Sequence, residues 1–327
     1  MTLNIGMIGT GMSAEQLLGP ALEQAKGARL WSVLSRDADK GRIFAENLSA
    51  AAPTPVHTDL SAMLADPELD AVFVASPDKL HAEQTIAAAA AGKHVLLEKP
   101  MATEREEGRR MIDACRSAGV TLAIAYHMRW HAGHRTMQKH ASEGRFGTLR
   151  HMRVVWPTPQ TNADGWRSKT DVGRWWSLAA VGTHCLDQIR WFMTPTCGEV
   201  TDLKSVVTNA GWETPRDETA VLAMKFESGA TAEMCSSVLF KAPRRMEVFG
   251  SDGYAIFDDT LGPAGAGAIA TNEGTVPFDP VNPYLGEVTD FIEAVETGRP
   301  PEVDGDEGMR NVDLLLKAVE GGWSGNG

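Results

Sequence analysis

Short apolar runs alternate with helical patterns through the first 125 residues. The helical patterns lie near residues 60–66, 79–91 and 103–118. The apolar runs have the length of buried strands and read "LNIGMIG", "ARLWSVLS", "LDAVFVAS", "HVLLEK" and "VTLAIA". This alternation is typical of βαβ units, in which helices cover both faces of a parallel sheet. The sequence therefore predicts an α/β domain with a doubly wound parallel sheet over residues 1–125.

A glycine motif follows the first apolar run. In "IGMIGTGMSA", Gly9, Gly11 and Ala14 have the G-x-G-x-x-A spacing of a Rossmann domain. Glycine permits the tight turn and lets backbone N–H groups approach a pyrophosphate at a helix N-terminus. The alternative is a glycine turn without a ligand. We predict a dinucleotide site whose loop residues are Gly9, Thr10, Gly11, Met12 and Ser13.

The tip of the second strand, "VLSRD", distinguishes between the two nicotinamide cofactors. Ser35 and Arg36 can hold a 2′-phosphate through charge-assisted hydrogen bonds, which favours NADP(H). Asp37 keeps NAD(H) possible because a carboxylate there could accept a hydrogen bond from the ribose 2′-hydroxyl. Two other readings stay open at this point: Asp37 could cap the next helix, and Arg36 could be a solvated surface cation.

Two opposite charges, Glu98 and Lys99, follow the buried run of the fifth strand in "HVLLEKPM". Ligands of doubly wound sheets bind at the carboxyl ends of the strands, where these two charges would lie. The segment "SPDKLH", residues 76–81, lies at the corresponding end of the preceding strand. The alternative reading of "EK" is a plain surface ion pair.

The chain changes character after residue 125. Six strand-like stretches are joined by short turns such as "ESG" and "SDG", which favour antiparallel pairing. We predict a second α+β domain over residues 126–327, built on a large, mainly antiparallel open sheet. Helical patterns at Tyr284–Glu296 and Gly308–Glu320 are expected to close this domain, and the glycine- and alanine-rich segment Gly262–Gly274 is expected to be a loop.

The charge balance points to a small-molecule partner. The 327 residues carry 31 Lys and Arg against 43 Asp and Glu, a formal net charge of -12, which opposes broad attachment to nucleic acid or an anionic membrane. No apolar run approaches the ~20 residues that span a bilayer. Four cysteines without metal-type spacing suit reduced thiols. We expect a cytoplasmic protein without a membrane or nucleic-acid partner.

The combination of the glycine loop, "SPDKLH" and "EKP" resembles the glucose–fructose oxidoreductase, inositol dehydrogenase and MocA (GFO/IDH/MocA) family. The resemblance implies that Lys99 polarises the substrate oxygen beside the nicotinamide, with Glu98 near the cofactor. It also implies cofactor contacts from the loop after the fourth strand, at Ser76, Pro77 and His81. An ammonium held at a strand tip could stabilise negative charge that develops on the substrate oxygen during hydride transfer.

The second half looks most like the 1,5-anhydrofructose reductase branch of that family. The motifs are "HMRWHAGHRTMQKHASEGRFG", "GWR", "THCLDQIRWF" and "FDPVNPY". The resemblance implies that Trp166 and Arg167 approach the cofactor, that Trp166 also faces the substrate, and that His184 acts on the substrate with Lys99. Asp187, one helical turn further, could orient His184. Further substrate contacts are implied at Tyr126, Arg129, His134 and Thr183.

The sequence departs from the family pattern at Ala180. The family has an Asp four residues before the histidine, and this chain also has Trp175 and Trp176 in place of small residues. Either another group compensates, or the substrate differs, or catalysis is lost. The predicted activity is hydride transfer between nicotinamide and a sugar, cyclitol or sugar derivative. The rivals are a non-catalytic cofactor-bound sensor and a redox-neutral lyase or glycosidase.

Two further expectations concern metal and assembly. His127, His131 and His134 have a spacing that would align three imidazoles on a helix, yet no carboxylate or cysteine joins them at a recognisable interval, so we expect no metal site. An open sheet needs cover on its second face, which predicts a homodimer, or a homotetramer, formed through the C-terminal sheet. Of Trp175 and Trp176, we expect one to line the cleft.

Overall fold

The computed structural model describes residues 2–169 and 173–322. They form two compact units. The first comprises the chain up to Tyr126 together with Tyr284–Arg310, and the second comprises His127–Pro283 and the described residues from Asn311 onward. No helix in this described part of the chain has the length and apolarity that crossing a membrane requires.

The first unit is built on a six-stranded parallel sheet. Its strands are β1 (Leu3–Ile8), β2 (Ala28–Leu34), β3 (Val56–His57), β4 (Ala71–Val74), β5 (His94–Glu98) and β6 (Leu122–Ala125), in the order β3-β2-β1-β4-β5-β6. Its helices up to residue 126 are α1 (Gly19–Gln24), α2 (Ala38–Asn47), α3 (Leu60–Leu64), α4 (His81–Ala90) and α5 (Arg105–Ala118). All side chains of β1 and β4 are buried, as expected for strands covered on both faces. The predicted Rossmann fold is confirmed.

Helix α8 (Pro283–Thr297) contributes to the core of this first unit. Its buried side chains Tyr284, Val288 and Phe291 join the cluster around the first and fourth strands, where Phe291 meets Phe73 edge-on at 5.8 Å between ring centroids. Along the sequence this helix follows the strand-rich region, and for that reason it falls in the predicted second domain. In the structure the helix belongs to the first unit because its apolar stripe packs on the parallel sheet.

The second unit contains an eight-stranded, mainly antiparallel sheet. Its strands are β7 (Leu149–Pro157), β8 (Val200–Thr208), β9 (Thr219–Phe226), β10 (Thr231–Ser237), β11 (Arg245–Gly250), β12 (Tyr254–Asp258), β13 (Ala268–Thr271) and β14 (Gly274–Thr275). The order is β14-β13-β12-β11-β7-β10-β9-β8, and the central β7–β10 pair is parallel. The predicted sheet is therefore confirmed. Helices α6 (Ala132–Ser142) and α7 (Thr183–Cys197) lie in this unit, and α9 (Gly305–Gly322) contributes residues to both units.

The expectation of a continuous loop over Gly262–Gly274 is wrong. Strand β13 forms within that segment and pairs with β12, where Ile269 lies opposite Phe257 and both side chains are fully buried. The glycines before it supply turns, as at Gly267 with a φ of 123°. The many glycines and alanines of this segment are typical of a loop, and its one isoleucine, Ile269, was too weak a sequence pattern to predict a strand.

Candidate active site

The carboxyl ends of the parallel strands meet at one edge of the first unit. Ile8 pairs with both Leu34 and Val74, and Val74 in turn pairs with Leu97. The register therefore brings the residues that follow these strands to the same edge. These are Gly9, Ser35, Ser76, Lys99 and, after the sixth strand, Tyr126.

The glycine loop has the geometry that a pyrophosphate requires. Gly9 has a φ of 103°, and a Cβ there would lie 2.8 Å from the carbonyl oxygen of Ala75, so a side chain is excluded. A Cβ at Gly11 would meet no atom within 4 Å, which leaves open space above the backbone. Helical hydrogen bonding begins here, with the Glu15 N–H donating to the Gly11 carbonyl at 2.9 Å. Thr10 and Ser13 are half-buried, and Met12 is 69% exposed. These features fit a dinucleotide.

The tip of β2 resolves the alternative roles of Asp37. Its carboxylate accepts hydrogen bonds from the N–H groups of Asp39, at 3.0 Å, and Lys40, at 3.2 Å, so that it caps α2. The buried Ser35 hydroxyl lies 3.2 Å from that of Thr10, which links this tip to the glycine loop. The side chain of Arg36 is exposed. Arg36 is thus the available charged group at the tip.

His81 connects the loops that follow β4 and β5. Its ring nitrogens lie 3.0 Å from the carbonyl oxygens of Pro100 and Ser76, and the side chain is fully buried. The Ser76 hydroxyl donates to Gln84 at 2.6 Å, and Pro77 precedes a 3₁₀ turn. This geometry supports a role for His81 in positioning the two loops, and it does not support the predicted direct contact with a cofactor.

Glu98 and Lys99 lie together at the end of β5. The backbone N–H of Lys99 donates to Glu98 Oε2 at 3.1 Å, both side chains are half-buried, and the Lys99–Pro100 peptide is cis. Glu287 on α8 is 2% exposed. Burial, followed by the charge of Glu98, raises the pKa of the Glu287 carboxyl well above its usual value, while Lys99 acts in the opposite direction. Glu287 is not among the site residues predicted from the sequence, although a glutamate on the apolar stripe of a helix was an available signal.

His184 lies in the second unit, in the first turn of α7, with Thr183 before it. The His184 side chain is 3% exposed, and its ring stacks on Trp156 at 5.5 Å between centroids. The ring of His127 meets it edge-on at 4.8 Å. Thr183 and Tyr126 are fully buried. The structure therefore groups His184 with two buried aromatic rings, those of His127 and Trp156. The sequence did not predict Trp156 as part of this site.

Arg129 and Asp187 form a buried ion pair. The Nη2 of Arg129 lies 2.6 Å from Asp187 Oδ1, and its Nε donates to both carboxylate oxygens at 3.0 and 3.1 Å. Asn311 also donates to Asp187 Oδ1, at 3.0 Å. The side chains of Arg129 and Asp187 are 5% and 0% exposed. This geometry supports neither the predicted substrate contact of Arg129 nor the predicted orientation of His184 by Asp187.

His134 is also enclosed. Its ring nitrogens lie 2.8 Å from Gln188 Oε1 and from Thr260 Oγ1, and its ring stacks on His131 at 4.2 Å between centroids. Burial, followed by His131, lowers the pKa of the His134 imidazole well below its usual value. A substrate contact at His134 is not supported. The three histidines do not lie on one helix, because His127 lies in a 3₁₀ turn and His131 caps α6.

The tryptophans of this unit have separate surroundings. Trp166 and Arg167 lie in a 3₁₀ turn, both half-buried, with the guanidinium carbon 4.1 Å from the indole centroid. Trp175 and Trp176 are 1% and 5% exposed, so both are core residues and the expectation that one lines a cleft is not supported. Ala180 lies in a π-helical turn, Leu178–Gly182, that leads into α7.

The carboxylate of Asp217 fixes the start of that turn. It accepts hydrogen bonds at 2.7 Å from the backbone N–H groups of Trp176 and Leu178 and from the Ser177 hydroxyl. Asp217 is 1% exposed, and burial raises the pKa of this carboxyl to about 6.

Comparison with known proteins gives matches over nearly the whole chain. Residues 3–126 match an oxidoreductase family with an NAD-binding Rossmann fold, and residues 134–256 match the GFO/IDH/MocA C-terminal domain. A 1,5-anhydro-D-fructose reductase from Ensifer adhaerens is 30% identical over 98% of this chain and 96% of that protein. The D-xylose 1-dehydrogenase (NADP(+)) 2 of Haloferax volcanii is 31% identical, covering 97% of each chain. A solved aldose-aldose oxidoreductase from Caulobacter crescentus, complexed with glycerol, has the same fold, with a TM-score of 0.90, 24% identity and coverage of 98% and 97%.

Proposed function

This chain belongs to the GFO/IDH/MocA family of oxidoreductases, and we propose that it transfers a hydride between a nicotinamide dinucleotide and a carbon of a sugar, a cyclitol or a sugar derivative. The family predicted from the motifs is confirmed. The full-length relatives named above are a sugar-ketone reductase and a sugar dehydrogenase, which supports carbohydrate chemistry. An anhydrofructose-type ketone is the first substrate to test.

The observation that carries this proposal is the convergence of the glycine loop and Lys99 at one edge of the parallel sheet. A bound nicotinamide cofactor would supply or accept the hydride. Gly9 and Gly11 provide the backbone approach for its pyrophosphate, and Lys99 would polarise the substrate oxygen as a cation. The half-buried position of Lys99 supports this role because an ammonium acts more strongly where water is partly excluded.

His184 is proposed to exchange the proton of the substrate oxygen. An imidazole suits this task because its usual pKa of ~6.5 lies near neutrality. The rings of His127 and Trp156 pack on it and restrict its orientation. Because the Ala180 side chain cannot take a proton or form a hydrogen bond to a substrate hydroxyl, Lys99 and His184 are proposed to carry the reaction without the acidic residue of the family pattern.

NADP(H) is the proposed preferred cofactor, and NAD(H) remains a possible one. Asp37 is engaged as the cap of α2, so its carboxylate already accepts two backbone N–H groups. Arg36 is exposed and Ser35 lies beside the glycine loop, which together suit a 2′-phosphate.

A homodimer formed through the open face of the second sheet is proposed as well. Val206, Val221, Cys235 and Val155 lie in register in one row, and the valines at 206 and 221 are 61% and 44% exposed. Sedimentation should give a dimer or a tetramer for the natural chain and a monomer for Val221→Lys. A natural chain that sediments as a monomer would contradict the proposal. A cytoplasmic location is also proposed, because the four cysteines are buried or half-buried and none is paired in a disulfide.

The function is tested by following reduced-nicotinamide absorbance against a panel of sugars, polyols and sugar ketones, including 1,5-anhydrofructose. We expect net oxidation or reduction, with a loss of about 10²–10³ in kcat for Lys99→Met. Lys79→Met, an exposed lysine on the preceding loop, is the matched control. Tight cofactor binding without turnover would indicate a sensor, and product formed without net redox change would indicate a lyase or glycosidase.

A further inference from the structure

Glu287 interrupts the apolar stripe of α8. Residues Tyr284, Val288, Phe291 and Ile292 have helical spacing and are each at most 7% exposed. Glu287 lies within the same stripe and is only 2% exposed. Glutamate is almost never fully buried without a partner, so a packing role alone does not explain its presence. A position that breaks the local pattern in this way is a candidate for function.

The surroundings of the Glu287 carboxyl group favour its neutral form. Among the described residues, neither carboxyl oxygen of Glu287 has a hydrogen-bond partner. Glu218, also fully buried, shows the contrast, because it accepts hydrogen bonds from the backbone N–H groups of Gly211, Trp212 and Thr214. A carboxylate without such donors is strongly disfavoured in a buried position, and a neutral acid is disfavoured much less.

Several charged and titratable groups act electrostatically on Glu287. Burial is the largest cause that raises the pKa of the Glu287 carboxyl, and the charges of Glu98 and Asp290 raise it further. The charge of Lys99 lowers it. The negative charge of Asp290 is partly balanced because Arg299 lies 2.8 Å from it. Tyr284 keeps its phenolic proton, since burial, Glu98 and Glu287 all raise its pKa. With Asp290 paired to Arg299, two carboxyl groups, those of Glu98 and Glu287, share the one ammonium of Lys99.

We propose that Glu287 is a positioning residue that holds a proton beside the Glu98–Lys99 pair, so that one carboxylate balances the Lys99 ammonium, and that loss of this proton slows hydride transfer. The inference rests on the proposed function of Lys99 as the group that polarises the substrate oxygen. Its structural basis is the buried carboxyl group without hydrogen-bond donors, on which the charge of that lysine acts.

The consequence of deprotonation follows from electrostatics. When the acid releases its proton to solvent, a second negative charge appears beside Lys99. That charge competes with the substrate oxygen for the ammonium and cancels part of the positive potential that stabilises a developing alkoxide. Activity should therefore fall as pH rises through the ionisation of Glu287. A glutamine at this position cannot ionise, whereas an aspartate can.

The kinetic test compares the pH dependence of kcat in the natural chain, Glu287→Gln and Glu287→Asp. We expect the kcat of Glu287→Gln divided by the kcat of the natural chain to rise about tenfold per pH unit, once the pH exceeds the pKa of Glu287. The reason is that only the natural chain gains the negative charge. Glu287→Asp should retain the alkaline fall. Glutamine matches the size of glutamate better than aspartate does, so a purely structural role would give the reverse order. Parallel profiles for the natural chain and Glu287→Gln would overturn the proposal.

An infrared measurement separates this inference from the proposed function. At neutral pH, the full-length natural chain should show the carbonyl stretch of a neutral carboxylic acid, and Glu287→Gln should lack it. The band should vanish over the same pH range in which kcat falls. Glu293→Gln, on the same helix with a side chain 58% exposed, is the control and should keep the band. If the band is present but no sugar is turned over, only the proposed function fails; if the band is absent, Glu287 is ionised and the inference fails.

Discussion

Replacing Asp187 by Asn tests whether the second unit depends on the Arg129–Asp187 pair. The substitution keeps the size of the side chain and removes the negative charge to which the guanidinium makes three hydrogen bonds. Both side chains are at most 5% exposed. The free energy of unfolding should therefore fall by about 3–5 kcal/mol, the usual cost of removing one partner of a buried ion pair. With a urea m-value of about 3 kcal/mol/M, the unfolding midpoint should fall by about 1 M or more.

Arg153 and Glu233 provide the matched control for this experiment. Their contact is 2.9 Å, yet their side chains are 48% and 49% exposed, so Glu233→Gln should cost at most about 1 kcal/mol. Equilibrium urea unfolding, followed by tryptophan fluorescence, measures both variants. A second arm combines Arg129→Met with Asp187→Leu, which should recover most of the lost stability because no uncompensated charge remains. If Asp187→Asn costs no more than Glu233→Gln, the argument from burial is refuted.

Three further predictions concern the glycine loop, cofactor choice and pH. Gly9→Ala should lower stability by about 1–2 kcal/mol or more, because its φ is 103° and its Cβ would approach a carbonyl oxygen, whereas Gly11→Ala should weaken cofactor binding in calorimetry with little loss of stability. Arg36→Ala should raise the KM for NADPH far more than that for NADH, and equal effects would remove the assignment. The folded-state pKa of Asp217, about 6, exceeds its unfolded value near 3.8, so its stabilising contribution of about 3 kcal/mol is fully present below pH 3.8 and is lost as pH rises through 6. Asp217→Asn should remove that pH dependence from thermal unfolding curves, and an unchanged dependence would contradict it.

The glycine loop and the mouth of β5 could be predicted from sequence because both are defined locally. Strand β1 ends at Ile8, and Gly9 follows it directly, so the position of the loop depends on counting along the chain rather than on distant contacts. Lys99 likewise follows β5 by one residue. In a parallel sheet, the end of a strand fixes the edge at which the next residue lies, and this rule converts a linear motif into a spatial site.

Arg129 and His134 show where the same reasoning fails. Both are polar residues in a segment that resembles a cleft-lining motif, and the sequence gives no sign that either one is enclosed. Their partners are distant along the chain: Asp187 is 58 residues from Arg129, and Thr260 is 126 residues from His134. Whether a polar side chain faces a substrate or a buried partner depends on tertiary packing, which periodicity does not report.

Glu287 is a third case. The sequence shows a glutamate within an apolar helical stripe, but helical periodicity alone does not identify it as a site residue. A search for helical periodicity counts Tyr284, Val288 and Phe291 as matches and treats an intervening glutamate as noise. Burial reverses that judgement, because a charge in an apolar stripe is costly and persists only where something offsets the cost. In the proposed neutral form, protonation offsets that cost. Lys99, which directly follows β5, could be connected with Glu287 only after α8 was seen to pack on the parallel sheet. An ionisable residue that breaks an otherwise regular apolar stripe is therefore worth testing as a site residue before it is dismissed as an irregularity.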